Sequence, residues 1–270
     1  MMRLIATFAS VILLWAAPVS ASEYVERLAT AMQLDQVVEI FREEGLTQGR
    51  ELDEMLLSGA GGTFFHAQVD DTFDPTWMRS KITDALDARM NDKQLEQAAI
   101  FFESDLGKTI VALENSARRA FSDEAVEEMA QSSYEDMDRQ SEFFRLIEEY
   151  IEINDLIERN VQGSFSSDYR FFRGIMDGQG IVGDDGEMLA ELLAQKDETE
   201  TVTRNWLYSF LLLAYRPLNE AQMRENIAFS RTDAGRALND ALFIGLDEMF
   251  NETSYQLGMA VGRVVGASEL

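Results

Sequence analysis

The residues whose types could do chemistry are few and scattered. The chain has one histidine, His66, no cysteine, and 49 aspartates and glutamates against 23 lysines and arginines. Around His66 the string GAGGTFFHAQVDDTFD offers an imidazole base, the hydroxyl of Thr63 and the carboxylates of Asp70, Asp71 and Asp74, the ingredients of a hydrolase triad. A serine nucleophile of the hydrolase type sits on a strained G-x-S-x-G turn, and the chain has none. His66 in a glycine-rich loop therefore reads as a solvated or capping side chain. One histidine without thiols leaves zinc or copper short of ligands, and disulfides are excluded. Hard cations need only oxygens. Asp177 to Met188, DGQGIVGDDGEM, has the acidic look of a calcium loop. Ile181 and Val182, however, stand where a donor and a glycine are required, and Met188 stands where the bidentate glutamate belongs. Asp184, Asp185 and Glu187 then read as a turn that starts a helix, with a weak cation site as the alternative. Glycoside chemistry would need a pair of carboxylates, and nothing marks one: Glu103 lies beside Phe101 and Phe102, but Arg231 stands at the matching place of the second half.

One stretch resembles a phosphate loop. FFESDLGKTI, from Phe101 to Ile110, contains Gly107-Lys108-Thr109. A phosphate loop needs glycine five positions before its Gly-Lys pair so that backbone N–H groups can approach the phosphates, and it follows a buried strand. Here that position is Phe102, and the residues before it have helical periodicity, with Leu95, Ala98, Ala99 and Phe102 on one face. The stretch is better read as a junction between helices.

The elements that hold these residues are helical throughout. The chain has three prolines, no sustained alternation, and apolar residues at three- and four-residue intervals. Met78, Ile82 and Leu86 share a helical face, as do Leu146, Tyr150, Ile153 and Ile157. Asp74-Pro75, Ser122-Asp123-Glu124 and Asp184-Asp185 are helix starts. The sequence also repeats itself. MNDKQLEQAAIFFESDLGKTIVAL from Met90 aligns without a gap on LNEAQMRENIAFSRTDAGRALNDA from Leu218, pairing Asn91 with Asn219, Gln94 with Gln222, Phe101 with Phe229, Asp105 with Asp233 and Gly107 with Gly235. More loosely, Trp77 finds Trp206, and LDQVVE from Leu34 finds INDLIE from Ile153. The repeated asparagine and glutamine form a capping box, and Ser104 and Thr232 are second caps followed by a glycine that permits close packing. Whether each glycine marks a break or a kink is open at this level.

These residues resemble a known family. Phe101, Phe102, Ser104, Gly107 and Lys108, between a capped helix and an apolar one, are similar to the signature of the bacterial family called domain of unknown function 2059. Phe229, Thr232 and Gly235 carry it weakly in the second copy, where Ser230 replaces Phe102. The resemblance implies an exported, all-helical protein and brings no catalytic residue.

Residues 1–21 have the layout of a cleaved secretory signal: Arg3, an apolar run from Leu4 to Ala17, then Pro18 and small residues up to Ala21. Nothing later is long and apolar enough to cross a bilayer; Trp206 to Tyr215 reads as a buried helix. The formal charge of −26 argues against nucleic acid and anionic lipid surfaces. The expected fold is all-α, two related multi-helix halves at 22–140 and 141–270 packed as a helical bundle, with no cofactor, metal or catalytic residue. The expected function is that of a periplasmic, non-catalytic binding or interaction protein, an accessory of the cell envelope, whose partner is a protein or a small apolar ligand. A groove lined by Trp206, Phe210, Tyr215, Phe229 and Phe243, with Met223, Met249 and Met259 as an adaptable surface, is the candidate for binding; core packing is the competing account of the same residues. Two alternatives stand beside this: a carboxylate hydrolase working in a groove, which needs two close acids, and a carrier of an apolar ligand, which needs an internal void.

Overall fold

The computed structural model describes residues 21–181, 183 and 185–268. The expected leader lies outside them but for Ala21, as do Val182 and Asp184. Among the described residues the chain is helical and has no strand. The first half holds α1 (Ala21–Ala31), α2 (Leu34–Leu57), α3 (Gly62–Thr72), α4 (Pro75–Arg89), α5 (Asp92–Glu103), α6 (Asp105–Ala120) and α7 (Glu124–Glu135). The second holds α8 (Glu142–Ile153), α9 (Leu156–Gln179), α10 (Gly186–Ala194), α11 (Lys196–Tyr215), α12 (Glu220–Ser230) and α13 (Asp233–Ser268).

Local chemistry sets the starts. The Asp74 carboxylate accepts the Trp77 N–H at 2.7 Å, with Pro75 in the first turn. Asp123 accepts the Ala125 N–H at 3.0 Å at the start of α7. Both expected capping boxes are complete: Asn91 with Gln94 at α5, and Asn219 with Gln222 at α12, each exchanging side-chain and backbone hydrogen bonds of 3.0–3.1 Å.

The face running from Leu146 to Ile157 is interrupted rather than continuous. Asp155 sits at φ 52°, a left-handed conformation that ends α8 and starts α9. Gln33 does the same between α1 and α2, also at φ 52°. Such a residue costs about 1 kcal/mol without glycine, so two in matching places are deliberate geometry. They set Leu34 opposite Leu156, not opposite Ile153 as the sequence match has it.

Neither half of the sequence closes its own core. One core joins Leu28, Val38, Phe65, Met78, Ile82 and Leu95 of α1–α5 with Leu238, Ala241, Met249 and Leu257 of α13. The other joins Leu106 and Ile110 of α6 with Ile147 of α8, Tyr208 and Tyr215 of α11, and Met223 and Ile227 of α12. The helix after each Ser/Thr-x-x-Gly junction thus crosses into the opposite half. A second feature anchors α13: Gly174 and Gly178 of α9 face Gly258 and Gly262 so closely that a Cβ on Gly258 would stand 2.0 Å from the Phe171 carbonyl oxygen. Only hydrogen fits along that seam.

Candidate functional site

The two repeated junctions are breaks, not kinks, and they meet. The Ser104 hydroxyl accepts the Gly107 N–H at 3.0 Å and donates to the Phe101 carbonyl at 2.6 Å. Thr232 accepts the Gly235 N–H at 3.0 Å and donates to the Phe229 carbonyl at 2.7 Å. A Cβ on Gly107 would lie 2.2 Å from the Phe101 oxygen, and one on Gly235 would lie 2.1 Å from that of Phe229. The neighbour that these glycines admit is the end of their own preceding helix. Each junction turns a phenylalanine toward the other copy: the Phe101 and Phe229 rings stack at 3.9 Å and 2°, and Phe102 meets both edge-on. Lys108 and Thr109 stay on the surface.

Beside this aromatic contact lies a cavity of about 270 Å³. Its apolar wall comes chiefly from Met32, Phe41, Ile82, Phe102 and Phe229, with Leu238, Leu242 and Leu246 of α13. Its polar lining comes from Glu114 and Asn115 of α6, where Ile110 and Val111 are apolar, Tyr150 and Asn154 at the end of α8, Asn226 and Ser230 of α12, and Asn239 of α13. No lysine, arginine or histidine lines it, and Glu114 is its one acid.

The sequence alignment pairs several of these lining residues with one another. The register that pairs Gly107 with Gly235 also pairs Phe102 with Ser230, Val111 with Asn239, and Leu242 with Glu114. The register that pairs Gln33 with Asp155 pairs Met32 with Asn154. All eight line the cavity, and in every pair one copy is apolar where the other is polar. Ile110 and Leu238, paired in the first register, also line it, and both are apolar.

Glu114 has no cation. Its carboxylate accepts a short hydrogen bond from the Tyr215 hydroxyl. Burial pushes its pKa up, and the Tyr215 bond opposes this only in part. Burial, then the charge of Glu114, also raises Tyr150 and Tyr215, whose rings meet edge-on at 5.6 Å. Glu114 and Tyr150 keep some accessible surface, but both line the cavity, and the protein around them is dense enough to disfavour charge. Asn154 donates to the Tyr150 carbonyl at 2.9 Å and to Ser230 at 3.3 Å, and Asn239 donates to the Asn154 carbonyl at 3.1 Å. Two groups are left over. The Nδ2 atoms of Asn115 and Asn226, residues only 6% and 4% exposed, have no hydrogen-bond partner. Asn226 adjoins the Tyr150 hydroxyl closely enough to favour its ionised form, but without hydrogen-bond geometry.

The other sequence candidates are dispersed. His66 is exposed, 3.3 Å from Asp53, whose buried carboxylate also accepts the Gly61 N–H at 2.8 Å; Thr63 is exposed. Asp70 pairs with Arg42 at 2.5 Å, and Asp74 is the cap of α4. Glu103 is held by Arg27 through two bonds of 2.7 and 2.8 Å. Asp185 accepts the Tyr169 hydroxyl at 2.5 Å instead of capping α10. No group of three metal-ligating side chains occurs among the described residues. The aromatic groove is not one site. Trp206 and Phe210 stack on each other and against Phe121, Tyr215 is buried on Glu114, and Phe243 lies under Arg159. Met223 and Met249 are fully buried core. Phe229 alone of that set reaches the cavity. Sequence reading missed Glu114, Asn115, Tyr150 and Asn226. The available signal was a carboxylate in the apolar register of Leu106, Ile110 and Ala117, where the other copy has leucine.

With this geometry in hand, the comparisons add one finding. Residues 77–136 match the family model described as an uncharacterized protein conserved in bacteria (DUF2059). The match runs from the first turn of α4 to the end of α7 and includes the Ser104 junction, Glu114 and Asn115. It does not extend to residues 218–241, the stretch that the sequence alignment pairs with residues 90–113. No curated protein and no solved structure matches the chain.

Proposed function

We propose that this is a non-catalytic binding protein that holds a small, mainly apolar molecule in the central cavity, and that the two copies of a duplicated segment form the walls. The observation that carries this is the cavity itself: a partly open space of about 270 Å³ lined mainly by apolar side chains, with Asn115 and Asn226, whose Nδ2 atoms lack a hydrogen-bond partner, among its lining residues. A carboxylate hydrolase would want a second acid beside Glu114, and the lining offers none. Export to the periplasm is part of the same proposal. It rests on the composition of residues 1–21 and is tested by sequencing the N-terminus of the mature protein. The binding reading is tested by native mass spectrometry of the protein purified from its own host. A bound mass released by solvent, and lost when Leu242→Trp fills the cavity of a protein that still folds, supports it. A bare polypeptide mass, with no change in melting temperature on adding small apolar compounds, sinks it.

A further inference from the structure

The cavity is specific about chemistry as well as size. We infer that its ligand is an uncharged molecule with a carbonyl group, an ester, amide or protonated acyl compound of about nine non-hydrogen atoms, whose oxygen is received by Asn115 and Asn226. This rests on the binding reading above and narrows it.

Size follows from the volume. A water-sized group takes up about 30 Å³, so the cavity of about 270 Å³ admits a chain of roughly that many atoms. Polarity follows from the amides. Asn115 and Asn226 line the cavity from different helices, α6 and α12; the Nδ2 of each is buried without a hydrogen-bond partner, the residues being 6% and 4% exposed, and a rotation of the amide about χ2 is what brings it to a ligand. A donor left unpaired in such a place is costly, so the complementary group is an acceptor. In the repeat register these residues pair with Phe243 and Ala98, so the helix faces tolerate apolar side chains at the same places. The donors are thus not required by the backbone. Charge follows from what is missing. A carboxylate head would have to be buried among groups that include no cation, next to Glu114, and an unpaired buried charge is far more expensive than a carbonyl. A pure hydrocarbon would leave both amides unserved.

Three probes with the same number of carbons separate these statements: methyl hexanoate, heptane and heptanoate, each titrated against the full chain by calorimetry and by thermal shift. Methyl hexanoate is expected to bind about tenfold or more tightly than heptane. Heptanoate is expected to bind only as the neutral acid, so that its affinity falls about tenfold per pH unit above its own pKa. Asn115→Leu and Asn226→Leu should each reduce the ester toward the alkane while leaving the alkane at least as tight. Equal binding of ester and alkane overturns the carbonyl assignment and leaves the binding reading standing. Heptanoate affinity that ignores pH overturns the requirement for a neutral ligand. Binding of none of the three overturns both readings, and the amides are then served by trapped water.

Discussion

Gly107→Ala is a sharp test of the junction that the repeat preserves. Gly107 lies in the first turn of α6 and outside the left-handed region, so on helix propensity alone alanine should stabilise by up to about 1 kcal/mol. The packing argues the opposite. The new methyl would stand 2.2 Å from the Phe101 oxygen and 2.5 Å from the Phe102 Cα, where carbon contacts prefer about 3.5–4.0 Å. Both obstacles are backbone, so α5 and α6 must separate by more than an ångström. That strain is worth roughly 1–3 kcal/mol, and it breaks the Ser104–Gly107 cap of 3.0 Å, worth about 1 kcal/mol more. Set against the propensity gain, the net cost is about 2 kcal/mol, or a fall of about 4–8 °C in melting temperature for a chain of this length. Urea and thermal unfolding followed by circular dichroism give the number. Gly59→Ala is the control: its φ of +76° carries a backbone cost, but nothing lies within 4 Å of the added carbon, so about 1 kcal/mol is expected. A double-mutant cycle adds a second check. Ser104→Ala should cost about 1 kcal/mol alone and little in the Gly107→Ala background, because the cap is already lost. A Gly107→Ala protein as stable as wild type, or full additivity with Ser104→Ala, would refute the steric account.

Four further outcomes are expected. Glu114→Gln should be more stable than wild type at pH 8, and its advantage should shrink toward pH 4. Burial raises the folded pKa, so the penalty is absent below the unfolded value of about 4.3, grows as pH climbs through the raised folded value and then levels off; urea midpoints across this range that keep a constant difference contradict it. Gly258→Val should cost at least about 3 kcal/mol by forcing α9 and α13 apart, and a melting temperature within a degree of wild type would show that the seam is soft. A protease site inserted between Asp138 and Ser141, in the largely exposed connection from α7 to α8, should give two fragments that co-elute in native chromatography and part only in denaturant, since each core borrows a helix from the other half; fragments that separate freely would disprove the exchange. Asp53→Ala should cost about 1–3 kcal/mol by leaving the Gly61 N–H unserved, while His66→Ala, at an exposed partner, should cost under about 1 kcal/mol, and equal losses would overturn the surface role of His66.

What the sequence made legible was what neighbouring residues decide among themselves. The boxes at Asn91 and Asn219, the Asp74-Pro75 start and the caps at Ser104 and Thr232 each involve side chains reaching backbone three residues away, so a string of letters contains the whole interaction. The interruption at Asp155 was hidden because nothing about an aspartate announces a left-handed φ; the apolar period simply runs on across the junction. The exchange of α6 and α13 was hidden for a different reason. A helix face records that it is buried, not which half of the chain buries it, and Ile110 would look the same packed on either core.

The cavity wall was the least legible part, and the reason bears on function. Among 49 acidic residues, Glu114 differs from a solvated one only through the packing of α6 against α8, α11 and α12, which places Tyr150, Tyr215 and Asn226 around it. Its partner in the repeat is Leu242, which fills the same register with apolar atoms and needs no hydrogen bond. The same substitution of polar for apolar recurs at Asn154 against Met32, Ser230 against Phe102 and Asn239 against Val111, all on one void. Any one of these could be an accident that the fold tolerates, since a buried hydroxyl or amide that finds a partner costs little. Together at one cavity they favour the binding reading, because the aligned positions in the same chain carry apolar side chains. Asn115 and Asn226 go one step further, since their amides are buried and lack even a partner. On the proposed binding reading, the bound molecule brings the acceptor that these two amides lack.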